Sequence, residues 1–145
     1  MKPEKRITDF FKQHHVLTLA TSNSDQPWCA NCFYVYLPGE NLLAFTSEMK
    51  TRHIKEGLLN KNIAGSVVLE TGLIGKIQGI QFLGFLREPE GNLAEVVKKA
   101  YLRKFPVAML MDTTMWIVQL TYIKMTDNRL GFGKKIIWEA DNPLM

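Results

Sequence analysis

Hydrophobic positions along this chain recur mostly at every second residue or in short continuous runs, and few stretches carry the three-and-four spacing of an amphipathic helix. Residues 3–14 are the first of those, with Ile7, Phe10, Phe11 and His14 on one side and Lys5, Arg6, Asp9 and Lys12 on the other. Pro3 falls near the first turn, where its missing N–H costs least. Val16 to Thr21 reads as a strand, Ser22 to Pro27 as a turn, and Trp28 to Tyr36 as a second strand. The nearly unbroken apolar character of that second strand predicts burial on both faces, with Asn31 needing a partner inside. Pro38 to Asn41 closes the hairpin.

Leu42 to Phe45 is a buried-strand run that breaks into Thr46 to His53, a stretch of hydroxyls and cations. A helix follows over about Thr51 to Lys61 with Ile54, Leu58 and Leu59 as its stripe, and then a strand over Ile63 to Glu70. Leu73 to Arg87 reads as one long strand whose alternation slips between Gln78 and Gln81; with Gly75, Gly79 and Gly84 along it, a bulge or a sharp barrel bend is expected. Asn92 and Glu95 form a capping pair for a helix running to Lys104, with Leu93, Val96, Val97, Ala100 and Tyr101 as its stripe. Pro106 ends that helix, and Val107 to Met115 is irregular or a short helix. Trp116 to Thr126 alternates as a strand, Asp127 to Arg129 turns, and Leu130 to Trp138 is a last strand containing Gly131 and Gly133. The remaining residues to Met145 form a loosely held tail.

Seven strands, three helices and hairpin-length connections predict a mostly β fold with peripheral helices. An antiparallel sheet closed into a barrel fits this better than an alternating parallel α/β arrangement. At 145 residues the chain is long enough for one domain, 1–145, with a core that needs no disulfide or metal staples. There is no run of about 18 apolar residues and no secretory h-region at the N-terminus, so a cytoplasmic protein without a membrane span is expected. A formal net charge of +4 raises the chance of an anionic ligand or of nucleic acid without choosing between them.

The polar turn is the best candidate for chemistry. The first N–H groups of a helix lack internal partners, the positive end of its dipole lies there, and Thr46, Ser47, Lys50, Thr51, Arg52 and His53 add donors. A phosphate suits such a turn; an ordinary capped and solvated helix start has the same composition. Cys29 and Cys32 match C-x-x-C, but residues three apart on a strand point to opposite faces, so they read as buried structural thiols. His14, His15 and His53 lack a carboxylate cluster and make no metal site, the first two reading as cations at a helix C-terminus. Neither a P-loop, nor G-x-S-x-G, nor a dinucleotide fingerprint is present. The basic runs Lys98-Lys99 and Arg103-Lys104 read as a solvated helix face, which leaves a nucleic-acid-binding module as a lesser alternative.

Taken in order, the opening helix, Leu19-Ala20-Thr21 with a polar turn and Pro27, Leu43-Ala44-Phe45-Thr46-Ser47 leading to Lys50-Thr51-Arg52-His53, and Asn62-Ile63-Ala64 resemble the pyridoxamine 5'-phosphate oxidase-like family of FMN-binding split β-barrels, in a small bacterial branch. The resemblance covers nearly the whole chain. It implies a homodimer with FMN in a cleft between two barrels. Phe45-Thr46 and Thr51-Arg52-His53 match positions at the FMN phosphate, and Ala30, Asn31, Cys32, Phe33 and Tyr34 match the strand along the isoalloxazine. Gln78 or Gln81 supplies an amide, and Trp116 of the partner lies at the ring's other side. Oxidases of the family carry basic residues where Ala30 and Val35 stand and a lysine where His53 stands, so weaker FMN binding is expected here and the oxidase reaction itself is not. The resemblance therefore implies a flavin-dependent oxidoreductase acting on an unidentified small molecule. The alternative is a non-enzymatic carrier or sensor of flavin, haem or another anionic ring compound.

Overall fold

Alternation of side chains builds the sheet. The computed structural model describes residues 1–142, in the order α1 (Lys5–Gln13), β1 (Val16–Asn23), β2 (Gln26–Leu37), β3 (Leu42–Ser47), α2 (Arg52–Leu59), β4 (Asn62–Val68), β5 (Gln78–Arg87), α3 (Gly91–Lys104), β6 (Thr114–Asp127) and β7 (Lys135–Glu139). All pairings are antiparallel, in the order β3-β2-β1-β4-β5-β6-β7, and β3 also pairs with β6. That last pairing closes six strands into a split β-barrel and leaves β7 as an appended edge.

Inward-facing residues fill the barrel. Leu17, Leu19, Tyr34, Leu43, Phe45, Phe82, Trp116 and Ile123 are all 2% exposed or less. Ile7, Phe10 and Phe11 bring α1 against the same core, and the Tyr34 hydroxyl donates to the Phe11 carbonyl at 2.7 Å. A smaller cluster of Leu37, Leu42, Ala44, Val97 and Ile117 lies outside the barrel, where α3 covers β2, β3 and β6. Burial of an α3 stripe is narrower than its sequence suggests: Val97 and Tyr101 are buried, whereas Val96 is 37% exposed.

Several boundaries differ from expectation for local reasons. The first hairpin turns on Ser24 and Asp25 alone, both at positive φ, the geometry of a two-residue turn that matches strand twist. The expected strand from Leu73 begins only at Gln78, after a 3-10 turn over Ile74–Lys76. Its bulge lies at Leu83/Gly84, with Thr121 left over on β6, and not between Gln78 and Gln81. Gly131 and Gly133, at φ 138 and 72, shape the turn before β7 instead of belonging to it. Asn92 and Glu95 do not cap α3, which starts at Gly91 with Glu90 as its N-cap, two residues before Asn92, and no side-chain bond. Pro106–Leu110 is a 3-10 turn. The expected tail lies partly outside the described residues.

The bulge depends on a missing side chain. A Cβ at Gly84 would meet the Gln119 carbonyl and the Val118 side chain. Gly84→Ala is therefore expected to lower the unfolding free energy by about 1–3 kcal/mol, because the obstacle is backbone that cannot rotate away. Urea unfolding followed by far-UV circular dichroism measures this; an unchanged midpoint would mean that the bulge relaxes freely.

Candidate functional site

β2 is longer than its neighbour β3. The two pair only from Tyr34↔Phe45 to Leu37↔Leu42, so no described strand lies beside residues 26–33 on that side. The Tyr34 N–H donates to the His15 carbonyl across β1. Alternation then turns the N–H and C=O groups of Cys29 and Asn31 toward the open side. Pro27 is tolerated for the same reason, since its missing N–H falls there too. Beyond the end of β3 the chain turns through Glu48–Thr51 into α2, beside this open edge.

The polar turn is tightly interconnected. Ser47 Oγ lies 2.7 Å from His53 Nε2 and 3.3 Å from Thr51 Oγ1, and the Thr51 hydroxyl donates to the Glu48 carbonyl at 2.8 Å. Thr51 is the N-cap of α2, yet its side chain makes no capping bond, so the first amides of the helix remain available to an external acceptor. Burial lowers the pKa of His53, which keeps its imidazole neutral near pH 7. Thr46 points the other way, its Oγ1 3.3 Å from the Tyr101 hydroxyl on α3.

Both full cations of the turn already have carboxylate partners. Lys50 pairs with Glu48 at 3.2 Å on the surface. Arg52 Nε donates to Glu56 Oε1 at 2.7 Å, and its guanidinium lies 4.0 Å from the centre of the Trp28 ring. Glu56 is only 8% exposed and also accepts from the Thr21 hydroxyl at 2.8 Å. The bonds from Arg52 and Thr21 hold its carboxyl below the usual range. Trp28, Glu56 and Thr21 were missed in the sequence; the i,i+4 spacing of Arg52 and Glu56 was the available signal. In α2 it is Ile54, Glu56 and Gly57 that are buried, while Leu58 and Leu59 are 42% and 74% exposed, because the Arg52–Glu56 pair and the Gly57–Leu86 contact set the helix rotation.

The other expected site residues divide by strand parity. Asn31, Phe33 and Gln81 face outward on the sheet; Asn31 accepts from the Thr18 hydroxyl at 2.8 Å and is no buried group seeking a partner. Phe33 at 58% and Trp28 at 43% exposure likewise correct the expectation that β2 is buried on both faces. Ala30, Cys32 and Tyr34 point inward and turn their backbone groups toward β1, so they do not face the open edge, and neither does the fully buried Phe45, which pairs with both β2 and β6. Gln78 faces away from Gln81, into a cavity beside α1. Trp116 cannot lie on a cofactor ring: it is 1% exposed, in the core, with its Nε1 donating to the Ser47 carbonyl at 3.0 Å. Only one thiol is buried, Cys32, whose pKa burial pushes up to about 11; Cys29 is exposed. His14, its ring tilted against Phe10 with centroids 4.1 Å apart, is held toward its neutral form chiefly by burial, so it is no helix-end cation. Among the described residues no helix is long and apolar enough to cross a membrane.

No family model matches the chain. A UPF0306 protein of Photorhabdus laumondii is 43% identical over 133 residues, covering 92% of this chain and 93% of that protein. Another, from Yersinia pseudotuberculosis, is 39% identical over 138 residues, 95% of this chain and 94% of its own. Among solved structures, a haem-binding protein from Mycobacterium smegmatis superposes with a TM-score of 0.77 at 16% identity, over 96% of this chain and 59% of that one. A FAD-binding protein from Mesorhizobium loti gives 0.68 at 12% identity, over 83% and 91%. Identities this low establish a shared fold.

The Arg52–Glu56–Thr21 cluster carries a pH signature. Because the folded pKa of Glu56 is depressed, its contribution is present above the unfolded value and disappears as pH falls through the folded one. Wild type is therefore expected to exceed Glu56→Gln in stability at pH 7, with the gap closing on acidification below about pH 4. Parallel urea melts from pH 7 to 3 measure it; a gap independent of pH would assign the effect to packing.

Proposed function

The chain belongs to the UPF0306 family, and we propose that it is a homodimeric split-barrel protein that holds FMN, or a related flavin phosphate, for redox chemistry on a small molecule. One observation carries this reading: the uncapped first turn of α2, with Ser47, Thr51 and His53 around it, adjoins an open strand edge whose backbone groups have no partner among the described residues. The residues fit the group in part. Amides of the first α2 turn, the Ser47 and Thr51 hydroxyls and the free Nη groups of Arg52 would receive a phosphate. The Cys29 and Asn31 backbone would meet the polar edge of a flat ring, and the outward face at Asn31, Phe33 and Gln81 would line its surroundings. The flavin, when bound, would supply the electron chemistry, while the chain would bind, orient and exclude water.

Neutral His53 and a guanidinium already engaged with Glu56 make this a weaker phosphate site than one with two free cations. Hydroxyls and helix amides therefore take the larger share of the anion. The second subunit is expected on the outward face of β1, β2 and β5, where Val16, Phe33 and Leu83 are 46%, 58% and 50% exposed. A second reading, a non-enzymatic haem or flavin carrier, draws support from the fold shared with the haem-binding protein of Mycobacterium smegmatis. Oxidation of NAD(P)H by the flavin-loaded protein separates the two.

Fluorescence titration is expected to show FMN bound at least about ten-fold more tightly than riboflavin, through charge-assisted bonds to the phosphate. Equal affinity for both, or none for either, ends the phosphate assignment. Arg52→Ala is expected to weaken FMN by about 1.5–3 kcal/mol and to leave riboflavin unchanged. In size-exclusion chromatography with light scattering, wild type is expected at the mass of two chains and Phe33→Glu at one, since like charges would then face each other in an apolar contact.

A further inference from the structure

At the far end of β6 from Thr114, the partner of Ser47, a cavity of about 380 Å³ opens between α1, β5, β6 and the turn over Asn128–Leu130. Its chemistry is set by Asp127, which is fully buried at the end of β6. Arg129 grips that carboxylate with two side-chain bonds, Nε to Oδ1 at 3.0 Å and Nη2 to Oδ2 at 2.9 Å, and adds its backbone N–H at 3.0 Å. Arg6, from α1, donates Nη1 to Oδ2 at 3.2 Å. Two guanidiniums thus share one carboxylate, leaving one positive charge without a counter-ion in the trio.

Both arginines line the cavity and keep donors to spare. Arg6 Nε and Nη2 and Arg129 Nη1 make no hydrogen bond among the described residues. Their side chains are 39% and 50% exposed, so these donors reach the cavity while the buried carboxylate fixes the guanidiniums behind them. Gln78 and Gln13 add amides, and Phe10 and Met125 an apolar wall. Orienting two guanidiniums in advance removes much of the side-chain entropy that an anion must otherwise overcome.

We propose that this cavity is a binding site for a small oxyanion-bearing metabolite, a carboxylate or a phosphate monoester, held by Arg6 and Arg129 with Gln78 supplying an amide. The size falls within the range of small-molecule sites. Glu4 and Asp9 at the mouth, the latter paired with Lys5 at 2.6 Å, disfavour an extended polyanion such as nucleic acid. The site is separate from the α2 turn and does not depend on the flavin reading.

Calorimetric titration of the full chain with inorganic phosphate, and separately with succinate, tests this. At least one of the two is expected to bind saturably, and Arg6→Gln to weaken it at least about ten-fold, the loss of a charge-assisted donor. Gln78→Leu leaves the ion trio intact and is expected to weaken the same probe several-fold, so it decides the matter should Arg6→Gln fail to fold. Arg52→Ala is expected to leave this binding unchanged. The proposal is overturned if neither probe saturates, if both cavity variants bind like wild type, or if binding vanishes in Arg52→Ala alone, an outcome that would place the anion at the α2 turn.

Discussion

Closure of β3 against β6 is the contact on which the arrangement rests. Six residue pairs, from Leu42↔Gln119 to Ser47↔Thr114, join the two ends of the sheet. β6 can reach β3 and still serve β5 and β7 only because it is 14 residues long and shifts register opposite Gly84. The buried Trp116 indole then fastens the last carbonyl of β3, that of Ser47. Since Ser47 is also the first member of the polar turn, barrel closure sets the position of the candidate site.

Within that turn, neutralisation would compete with anion binding. The buried Glu56 draws Arg52 down against Trp28 and secures α2 over the end of the barrel, and the same bond spends part of the charge an anion would use. The trio of Arg6, Arg129 and Asp127 solves a comparable problem differently, with two cations to one carboxylate. A buried acid anchors structure in both places; only the second ratio leaves charge over.

Strand and helix existence was largely legible in the residues, because periodicity near two and near 3.6 survives in any tertiary setting. The seven strands and three helices stand, and so does the opposed orientation of Cys29 and Cys32. Less legible were properties that depend on what lies across from a strand. β2 reads as apolar on both faces, but α3 covers only part of its outer face, which leaves Phe33 in the open. Trp116 resembles an aromatic at a pocket mouth until β6 is seen to turn it inward. The pairing of Arg52 with Glu56 was within reach of spacing rules, whereas the meeting of Arg6 with Asp127, 121 positions away, was not.

The half-paired β2 has a consequence for local motion. Its even-numbered amides are tied to β1, whereas those of Cys29 and Asn31 face the open side, and β1 itself is held by β4 behind it. Amide hydrogen exchange along this strand should accordingly alternate, slow at Ala30 and Cys32 and fast at Cys29 and Asn31, without any unfolding of the strand. A ligand or a second subunit seated along the edge would erase the alternation, so one strand would report occupancy of its own open side residue by residue.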